Sequence, residues 1–276
     1  MAIQKGIIKF SGKLGDLIFY QSNQKALVRK GKTDDKVHNT AENSLLAGKD
    51  FGAASKISMY IRRAFAPLVV KYADRTTLYY RLNACLSNAL NAISDEKLGH
   101  KKLMEGNISL LKGFEFNIHR SLPNLYYTSP IVSIEENGAV NIQIPKGEIE
   151  SLFSTRVPNA LTVCLKLMVF SFDLDGDNYE TFTAKEIQIS LAEPFEGRLL
   201  KDKIKIEYKG EKALLIALGV YYKDDYAQFI NNRDFFTCQI IDAYHLRDGI
   251  IVPFMAPPAE EKTKDEEDTG LDWEIG

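Results

Sequence analysis

The sequence predicts an α+β fold, in which an N-terminal β-hairpin and a helical hairpin precede an antiparallel β-sandwich-like domain. Between residues 40 and 119, apolar residues recur at the three- and four-residue spacing of amphipathic helices. From residue 125 to 255, short apolar runs alternate with turn-forming residues, which is typical of antiparallel sheets. Because no helical segments separate these runs, a parallel α/β sheet is not expected. Of the 276 residues, 45% are hydrophobic and 26% are charged, and this composition excludes a collagen-like or wholly disordered chain.

Residues 1–31 are predicted to form an extended β-hairpin arm. Two apolar segments, residues 14–20 and 26–28, flank the polar residues 21–25, which are expected to form the turn. Glycines at positions 6, 12 and 15 predict bends in the first part of the arm. Since two strands alone are only marginally stable in water, this hairpin must pack on another surface.

The region 40–119 is predicted to be helical. Thr40 can cap a first helix, which we expect to end at Ala66 because Pro67 disfavours continuation. Asp74 can cap a second helix, and a third short helix is expected from Glu96 to Leu111. The apolar stripes of the first two helices should pack together; they comprise Ala54, Ile57, Ile61 and Phe65 on the first helix and Leu78, Leu82, Cys85, Ala89 and Ile93 on the second. The basic residues expected to face solvent are Arg62, Arg63, Arg75 and Arg81.

The region 125–255 is predicted to be an antiparallel β domain. Asn137-Gly138 is the favoured pair for a tight hairpin turn, and Asp175-Gly176 predicts another. The apolar runs between such turns should form at least seven strands and should contain no helix; they cover residues 131–134, 140–144, 161–172, 179–191, 203–208, 213–222 and 235–246.

The tail, residues 256–276, is acidic and is predicted to be disordered on its own. Its end nevertheless carries the only Trp of the chain, and the apolar residues Leu271, Trp273 and Ile275 alternate with acids. Such a peptide can add a strand to a sheet or fill a pocket, so we consider these three residues a candidate partner-binding site. The alternative is a chain end without a role.

The charge differs between the two halves of the chain. Residues 1–120 hold 20 basic and 10 acidic residues, a net charge of +10, whereas residues 121–276 carry a net charge of −12. This asymmetry indicates either nucleic-acid binding by the basic half or self-association of opposite ends. For nucleic acid, the candidate contacts are Arg29, Lys30, Lys32, Arg62 and Arg63. The basic residues are scattered, however, and a dedicated nucleic-acid surface would be more concentrated.

The motifs of catalytic and metal sites are missing from the sequence. Asp173–Asp177 resembles the start of a calcium loop, but Asn178 stands where the loop requires Gly and Ala184 where it requires Glu. The four histidines are far apart, and we expect no catalytic residues, no metal ligands and no cofactor. The cysteines, Cys85, Cys164 and Cys238, are expected to be buried free thiols, which favours a reducing compartment such as the cytoplasm.

Membrane insertion and secretion are also not expected. No apolar run approaches the roughly 18 residues of a membrane-spanning helix. The first ten residues lack the apolar stretch and the cleavage site of a signal peptide. We therefore predict a cytoplasmic protein, or one incorporated into a particle that is assembled in the cytoplasm, with no membrane partner.

The first 65 residues or so carry a family resemblance. The residues Gly12-Lys-Leu-Gly-Asp16 with the apolar segment that follows, and the return Val28-Arg-Lys30, resemble the opening of a family of uncharacterised bacterial proteins, mainly of Bacteroidota. Those proteins begin with a hairpin of the type G-K-[IL]-G-[DN]. The segments Phe51–Lys56 and Ile61–Arg63 also resemble the helical part of that family. The resemblance implies a bacterial or phage-associated origin and no catalytic residues.

Two classes of function follow from these observations. The first is a non-enzymatic structural or protein-interaction protein, a component of a larger, phage-like assembly, whose partner is another protein or other copies of the chain. The second is a nucleic-acid-associated protein that uses the basic N-terminal half. An enzyme on the sandwich, such as a hydrolase or a sugar-acting enzyme, stays open as a third alternative because fold does not decide function.

Overall fold

The computed structural model describes residues 2–4, 10–22, 25–30, 42–69, 75–135, 139–174, 176, 178–205 and 209–256. It confirms the α+β class, with strands and helices at the N-terminus followed by larger antiparallel sheets. The chain divides into two compact units, Met1–Leu45 and Leu46–Gly276. The predicted caps Thr40 and Asp74 and the predicted turn Asn137-Gly138 lie outside the described residues.

The first unit is built around a four-stranded antiparallel sheet. Its strands are β1 (Ala2–Ile3), β2 (Gly12–Leu14), β3 (Leu17–Ser22) and β4 (Lys25–Lys30), in the order β1-β4-β3-β2. The predicted hairpin is therefore confirmed as β3–β4, and β2 extends it. Gly15 lies in the two-residue turn between β2 and β3 with φ of 55°, a conformation that most other residues disfavour.

Two long helices begin the second part of the chain, α1 (Glu42–Val69) and α2 (Arg75–Asn91). Most of the predicted apolar stripe residues are buried, and Phe65 and Leu82 have no exposed surface. Ile57 and Cys85 are partly buried against the same core. The helical spacing of the apolar residues thus correctly identified the face of each helix that packs inward.

The predicted end of α1 at Ala66 is wrong, because the helix continues through Pro67 to Val69. A proline within a helix removes one hydrogen bond and crowds the preceding turn. Here it lies in the last turn, and the two residues that follow, Leu68 and Val69, are buried in the core. Burial of these side chains favours the extra helical residues over an earlier end.

The predicted third helix from Glu96 to Leu111 is also wrong. This stretch forms three short 3-10 segments, Asp95–Lys97, Leu103–Glu105 and Ile108–Leu111. Gly99 follows the first with φ of 84°, and Gly106 stands between the other two. An added Cβ at either glycine would come close to α-helical residues, so the segment winds over the helices rather than forming a helix of its own.

The described strands of the second unit form two antiparallel sheets. The larger sheet contains six strands: β7 (Thr162–Asp173), β8 (Tyr179–Thr183), β9 (Ile187–Ser190), β11 (Glu211–Lys223), β12 (Thr237–Arg247) and β13 (Ile250–Ile251). Its order is β13-β12-β11-β7, and both β8 and β9 pair with the outer edge of β7. The smaller sheet has the order β10-β6-β5, from β10 (Arg198–Lys205), β6 (Ala139–Ile144) and β5 (Ile131–Ile134). A one-turn helix, α3 (Ile149–Leu152), follows β6.

The six-stranded sheet is covered on both faces. On β7, Val163, Leu165, Leu167 and Val169 belong to a core shared with the smaller sheet. Met168, Phe170 and Phe172 belong instead to the core shared with α1 and α2. The second unit therefore has three layers, in the order helices, six-stranded sheet and three-stranded sheet, and the predicted sandwich carries its helical hairpin on one outer face. As predicted, neither residues 161–172 nor residues 213–222 form a helix.

The outer edge of β12 is paired by a short extended segment, residues 113–116. The Gly113 amide donates to the carbonyl of Ile240 at 2.8 Å, and the Phe116 amide donates to the carbonyl of Cys238 at 2.8 Å. Pairing in this way satisfies backbone groups that a bare edge strand would leave without hydrogen bonds.

Over the described ranges, no helix is both long and apolar enough to cross a membrane.

Gly106 provides a test of how tightly this part of the chain packs on α2. A Cβ atom at this position would lie 2.6 Å from the backbone carbonyl oxygen of Ala89, which cannot move aside as a side chain could. We expect Gly106→Ala to lower the free energy of unfolding by about 1–3 kcal/mol, measured by urea denaturation followed by circular dichroism.

Gly52→Ala is the matched control. Gly52 lies exposed within α1, and a Cβ added there would meet open space, so the same substitution should raise the free energy of unfolding by about 0.5–1 kcal/mol. A Gly106→Ala variant as stable as the parent chain would contradict the close packing of Gly106 on α2.

Candidate interaction site

The N-terminal sheet has one predominantly apolar face. Directly paired residues of antiparallel strands point to the same side of a sheet, so the strand register defines the members of each face. Val28 pairs with Phe19, and Leu14 pairs with Leu17. The ring of Phe10 packs edge-on against Phe19, with 5.8 Å between ring centroids. We call this surface the apolar face and define it as Phe10, Leu14, Leu17, Phe19, Ala26 and Val28.

Much of the apolar face is accessible to solvent. Leu14 is 71% exposed and Phe10 is 59% exposed, although the neighbouring Ala26 is buried. Large exposed apolar side chains that lie close together on one sheet indicate a surface that binds another molecule. The apolar face is therefore the first candidate interaction site.

The opposite side of the same sheet is basic and aromatic. Lys13 pairs with Ile18, which in turn pairs with Arg29, and these residues therefore share this side. The Arg29 guanidinium lies over the ring of Tyr20 at 5.6 Å from its centroid. We call this surface the basic face and define it as Ile3, Lys13, Ile18, Tyr20, Lys25, Leu27 and Arg29. Lys30 pairs with Leu17 and so lies at the end of the apolar face instead. Lys32 lies outside the described residues.

The helical hairpin presents a second cationic and aromatic surface. The Arg62 guanidinium lies over the ring of Tyr79 at 5.1 Å from its centroid. The hydroxyl of Tyr79 is 3.4 Å from Ser55 Oγ, which also accepts a hydrogen bond from Asn83 Nδ2 at 2.9 Å. The hydrogen bonds with Ser55 and Asn83 lower the pKa of Tyr79, and the positive charge of Arg62 adds to this effect. Tyr80 extends the surface into solvent and is 68% exposed.

The predicted outward orientation of the basic helix residues is right for Arg63 and wrong for Arg81. Arg63 is exposed. Arg81 is half-buried, and its guanidinium donates to the carbonyl oxygens of Glu115 at 2.7 Å and Phe116 at 3.3 Å. It thereby ties α2 to the segment that pairs with β12. Arg62 is also half-buried, and the side chain of Arg75 lies outside the described part of the chain.

The candidate nucleic-acid residues consequently do not form one surface within either unit. Arg29 and Lys30 belong to the first unit, and within its sheet they point to opposite sides. Arg62 and Arg63 belong to the second unit, where consecutive helix residues diverge in direction. The five predicted nucleic-acid contacts therefore place at most two positive charges on any one of the surfaces described above.

A cluster of charged residues at the end of the six-stranded sheet was not anticipated from the sequence. His245 Nε2 and Arg247 Nε both bond to the carboxylate of Glu211, which stands opposite Arg247 in the strand register. Burial by itself would raise the pKa of the Glu211 carboxyl. The hydrogen bonds from Arg247 and His245 have the larger combined effect, so the pKa of Glu211 is lowered overall. The alternation of His245 and Arg247 is visible in the sequence, but their partner depends on how β11 and β12 align.

His245 and Arg247 line a cleft of about 340 Å³ between residues 104–112 and 242–255. Lys112 and Asp242 form an ion pair of 2.9 Å in its wall. The hydroxyl of Ser109, another lining residue, donates to Asn107 Oδ1 at 2.5 Å rather than to His245. The cleft therefore shows no nucleophile activated by a neighbouring base among its described residues.

The half-buried Glu115 also has a structural role. Its carboxylate accepts hydrogen bonds from the Leu122 amide at 2.7 Å, from Gln239 Nε2 at 2.6 Å and from Thr237 Oγ1 at 3.2 Å. Burial raises the pKa of Glu115, although these hydrogen bonds and the positive charge of Arg81 act against it. Together with Arg81, this carboxylate fixes residues 113–116 against β12.

The cysteines are free, and two of them are buried as predicted. Cys164 and Cys238 have no exposed surface, whereas Cys85 is only partly buried. Burial raises the pKa of each thiol, to about 12 for Cys164, so the reactive thiolate form is suppressed. Among the described residues, no group of three or more His, Cys, Asp or Glu side chains could hold a metal ion. The candidate peptide residues Leu271, Trp273 and Ile275 lie outside the described residues.

Glu211→Gln should lower stability in a pH-dependent manner. Because the pKa of Glu211 is lowered from its ordinary value of 4.5 on folding, its ionised form stabilises the folded state above about pH 4.5, and this contribution disappears as the pH falls through the lowered pKa. We expect the parent chain to be more stable than Glu211→Gln at pH 7 and the difference to shrink below pH 4, as measured by urea denaturation.

Glu180→Gln is the control for that experiment, since Glu180 is an exposed residue of β8. Its substitution should change stability little at either pH. A stability difference for Glu211→Gln that is the same at both pH values would show that ionisation of Glu211 does not stabilise the fold.

Comparisons with known proteins assign no family to the chain. No family model matches it. Comparisons with curated proteins and with solved structures likewise found no significant match. Functional inference therefore depends on the exposed surfaces of the two units and on the sequence of the tail.

Proposed function

We propose that this protein is a non-enzymatic structural protein that assembles with other copies of itself into a larger, phage-like particle. The exposed apolar face of the N-terminal sheet is the observation that carries the proposal. A small sheet gains independent stability when an apolar side is covered by another layer. Leu14 and Phe10 remain largely exposed, and a neighbouring molecule would bury them.

The distribution of charge supports association between copies. The first 120 residues carry a net charge of +10, and residues 121–276 carry −12. Residues 260–274 alone contribute eight acids and two lysines, and they precede or surround the candidate peptide Leu271, Trp273 and Ile275. Opposite charge at the two ends favours head-to-tail contacts, which generate rings or filaments rather than closed dimers.

The basic face supports nucleic-acid association as the second candidate function. It combines Lys13, Lys25 and Arg29 with the aromatic ring of Tyr20, and such a combination can contact phosphates and stack on bases. Three cations are few for such a surface, so we rank this function below assembly. Binding to nucleic acid would weaken by orders of magnitude between about 50 and 200 mM salt for 6–10 phosphate contacts.

Leu14→Lys tests the use of the apolar face. A charge placed among Leu17, Phe19 and Phe10 should oppose burial of this face against a neighbour. In size-exclusion chromatography with light scattering, we expect the parent chain to form oligomers and Leu14→Lys to shift to smaller species. Recording absorbance at 260 and 280 nm in the same run detects bound nucleic acid.

Leu161→Lys is the matched control, because Leu161 is 56% exposed and lies in the second unit. It should leave the mass distribution unchanged. A monomeric parent chain, or an unchanged oligomer in Leu14→Lys, would contradict assembly through this face. Co-eluting nucleic acid whose binding falls steeply with salt, and falls further in Lys25→Ala and Arg29→Ala, would favour the second candidate.

Deleting residues 256–276 tests the tail. Because the deleted segment follows β13, the last strand among the described residues, we expect the thermal unfolding midpoint of the truncated chain to match that of the full chain. The oligomer distribution should shift towards smaller species, since the acidic peptide would no longer contact a neighbour. A truncated chain that assembles as the full chain does would show that the tail has no part in assembly.

A further inference from the structure

The outer side of the helical hairpin carries an arginine–tyrosine platform, which we define as Arg62, Tyr79 and Tyr80. The guanidinium of Arg62 lies over Tyr79, and the ring of Tyr80 packs edge-on against Tyr79 with 5.2 Å between centroids. Tyr80 is exposed, so the platform ends in an aromatic surface that is open to solvent. Cations over aromatic rings and exposed tyrosines recur at sites of protein recognition.

Polar atoms beneath this platform lack partners among the described residues. The Nε atom of Arg62 is buried and donates no hydrogen bond there, and no described carboxylate forms an ion pair with its guanidinium. The neighbouring Asn83 is 2% exposed, and its Oδ1 also lacks a partner. Because Arg62 is only half-buried and forms no ion pair with a described carboxylate, its guanidinium is available to an acidic group of a binding partner.

We propose that the C-terminal peptide of a second copy, residues 271–275, docks on the arginine–tyrosine platform. In this arrangement Asp272 or Glu274 pairs with the guanidinium of Arg62, and Trp273 packs against the exposed ring of Tyr80. The inference rests on the proposed assembly function and names the surface that receives the tail. A planar guanidinium binds a carboxylate through two parallel hydrogen bonds, which a lysine could not reproduce.

The composition of the tail is the reason for proposing residues 271–275 as the bound peptide. It places the only Trp of the chain between two acids, and so joins an aromatic ring and negative charge within three residues. Twenty residues follow Ala256, the last described position, and an extended chain of that length spans about 65 Å. A tail of that length is therefore not confined to surfaces next to Ala256.

A nucleic acid fits the platform less well than an acidic peptide. Phosphate backbones are bound by several cations spread along a groove, whereas the platform offers Arg62 and, at the adjacent helix position, the exposed Arg63. A single guanidinium beside an aromatic ring is better matched by a peptide that carries an acid beside a Trp than by a phosphate backbone. Nucleic-acid binding is therefore kept as an outcome of the test.

Trp273 provides the measurement, because tryptophan fluorescence of the full-length chain reports on this one residue. In the assembled parent chain, we expect blue-shifted emission and protection from quenching by acrylamide, and both should be lost on dilution to monomers. Arg62→Ala and Tyr80→Ala should each move the midpoint of this transition to about tenfold higher protein concentration, as expected for loss of a charge-assisted contact by the first and of an aromatic contact by the second. The controls are Arg156→Ala and Tyr226→Ala, which remove exposed side chains of the same types elsewhere in the second unit.

A charge swap keeps the test informative if removal of Arg62 disturbs the helices. Arg62→Glu alone should abolish protection of Trp273, and combining it with Asp272→Arg and Glu274→Arg should restore protection. Circular dichroism of each variant reports whether the helices are retained. Failure of the combined variant to recover protection, with the helices intact, would overturn the proposed pairing.

The outcomes separate this inference from the assembly function. If the parent chain assembles but Trp273 is equally quenched in the parent chain and in Arg62→Ala, assembly stands and the platform is not the docking site. If Trp273 is protected in the monomer at every concentration, the tail binds its own chain and the second-copy proposal is wrong. If Arg62→Ala weakens nucleic-acid binding without changing Trp273, the platform binds nucleic acid instead.

Discussion

Burial of the six-stranded sheet on both faces is the constraint on which the second unit depends. Its two central strands, β7 and β11, carry apolar side chains on both sides along most of their length, so each face needs a separate apolar layer. The helical hairpin covers one face and the three-stranded sheet covers the other. The contact with the helices is close, since a Cβ on Gly219 of β11 would lie 2.8 Å from Leu68 Cδ1. This packing accounts for the continuation of α1 past Pro67, because Leu68 belongs to the layer that covers the sheet.

Covering both faces of that sheet also determines where the second unit can contact other molecules. The faces of the large sheet are used internally, and residues 113–116 protect part of the edge of β12. Arg81 and Glu115 hold this protecting segment in place and are therefore not available to a partner. Among the described residues of the second unit, the exposed surface includes the outer side of the helices, the rim of the cleft beside His245 and residues of the three-stranded sheet such as Ile131 and Leu199. In the first unit the situation is reversed, because its sheet exposes apolar residues directly.

Local patterns in the sequence were sufficient for the fold class and for the inward faces of the elements. The stripe that includes Phe65 and the continuous apolar runs of β7 and β11 are properties of neighbouring residues, and they predicted buried helices and strands correctly. The errors arose where distant residues decide the outcome. Arg81 resembles any surface arginine of a helix, but its acceptors are backbone carbonyls about 35 residues further along the chain. The pairing of Glu211 with His245 likewise depends on strand register, which no local pattern reveals.

The layer order has a consequence for synthesis on the ribosome. The helical hairpin is complete at Asn91, but of the three strands that bury its apolar stripe, β7 begins only at Thr162, β11 at Glu211 and β12 at Thr237. At about 5–20 residues per second, the last of these strands is synthesised on the order of 10 s after the helical hairpin. During that interval, Phe65 and Leu82 of nascent chains are accessible to chaperones and to neighbouring chains on the same messenger RNA. Copies translated side by side are therefore within reach of one another while the apolar stripe of each hairpin is still incompletely covered.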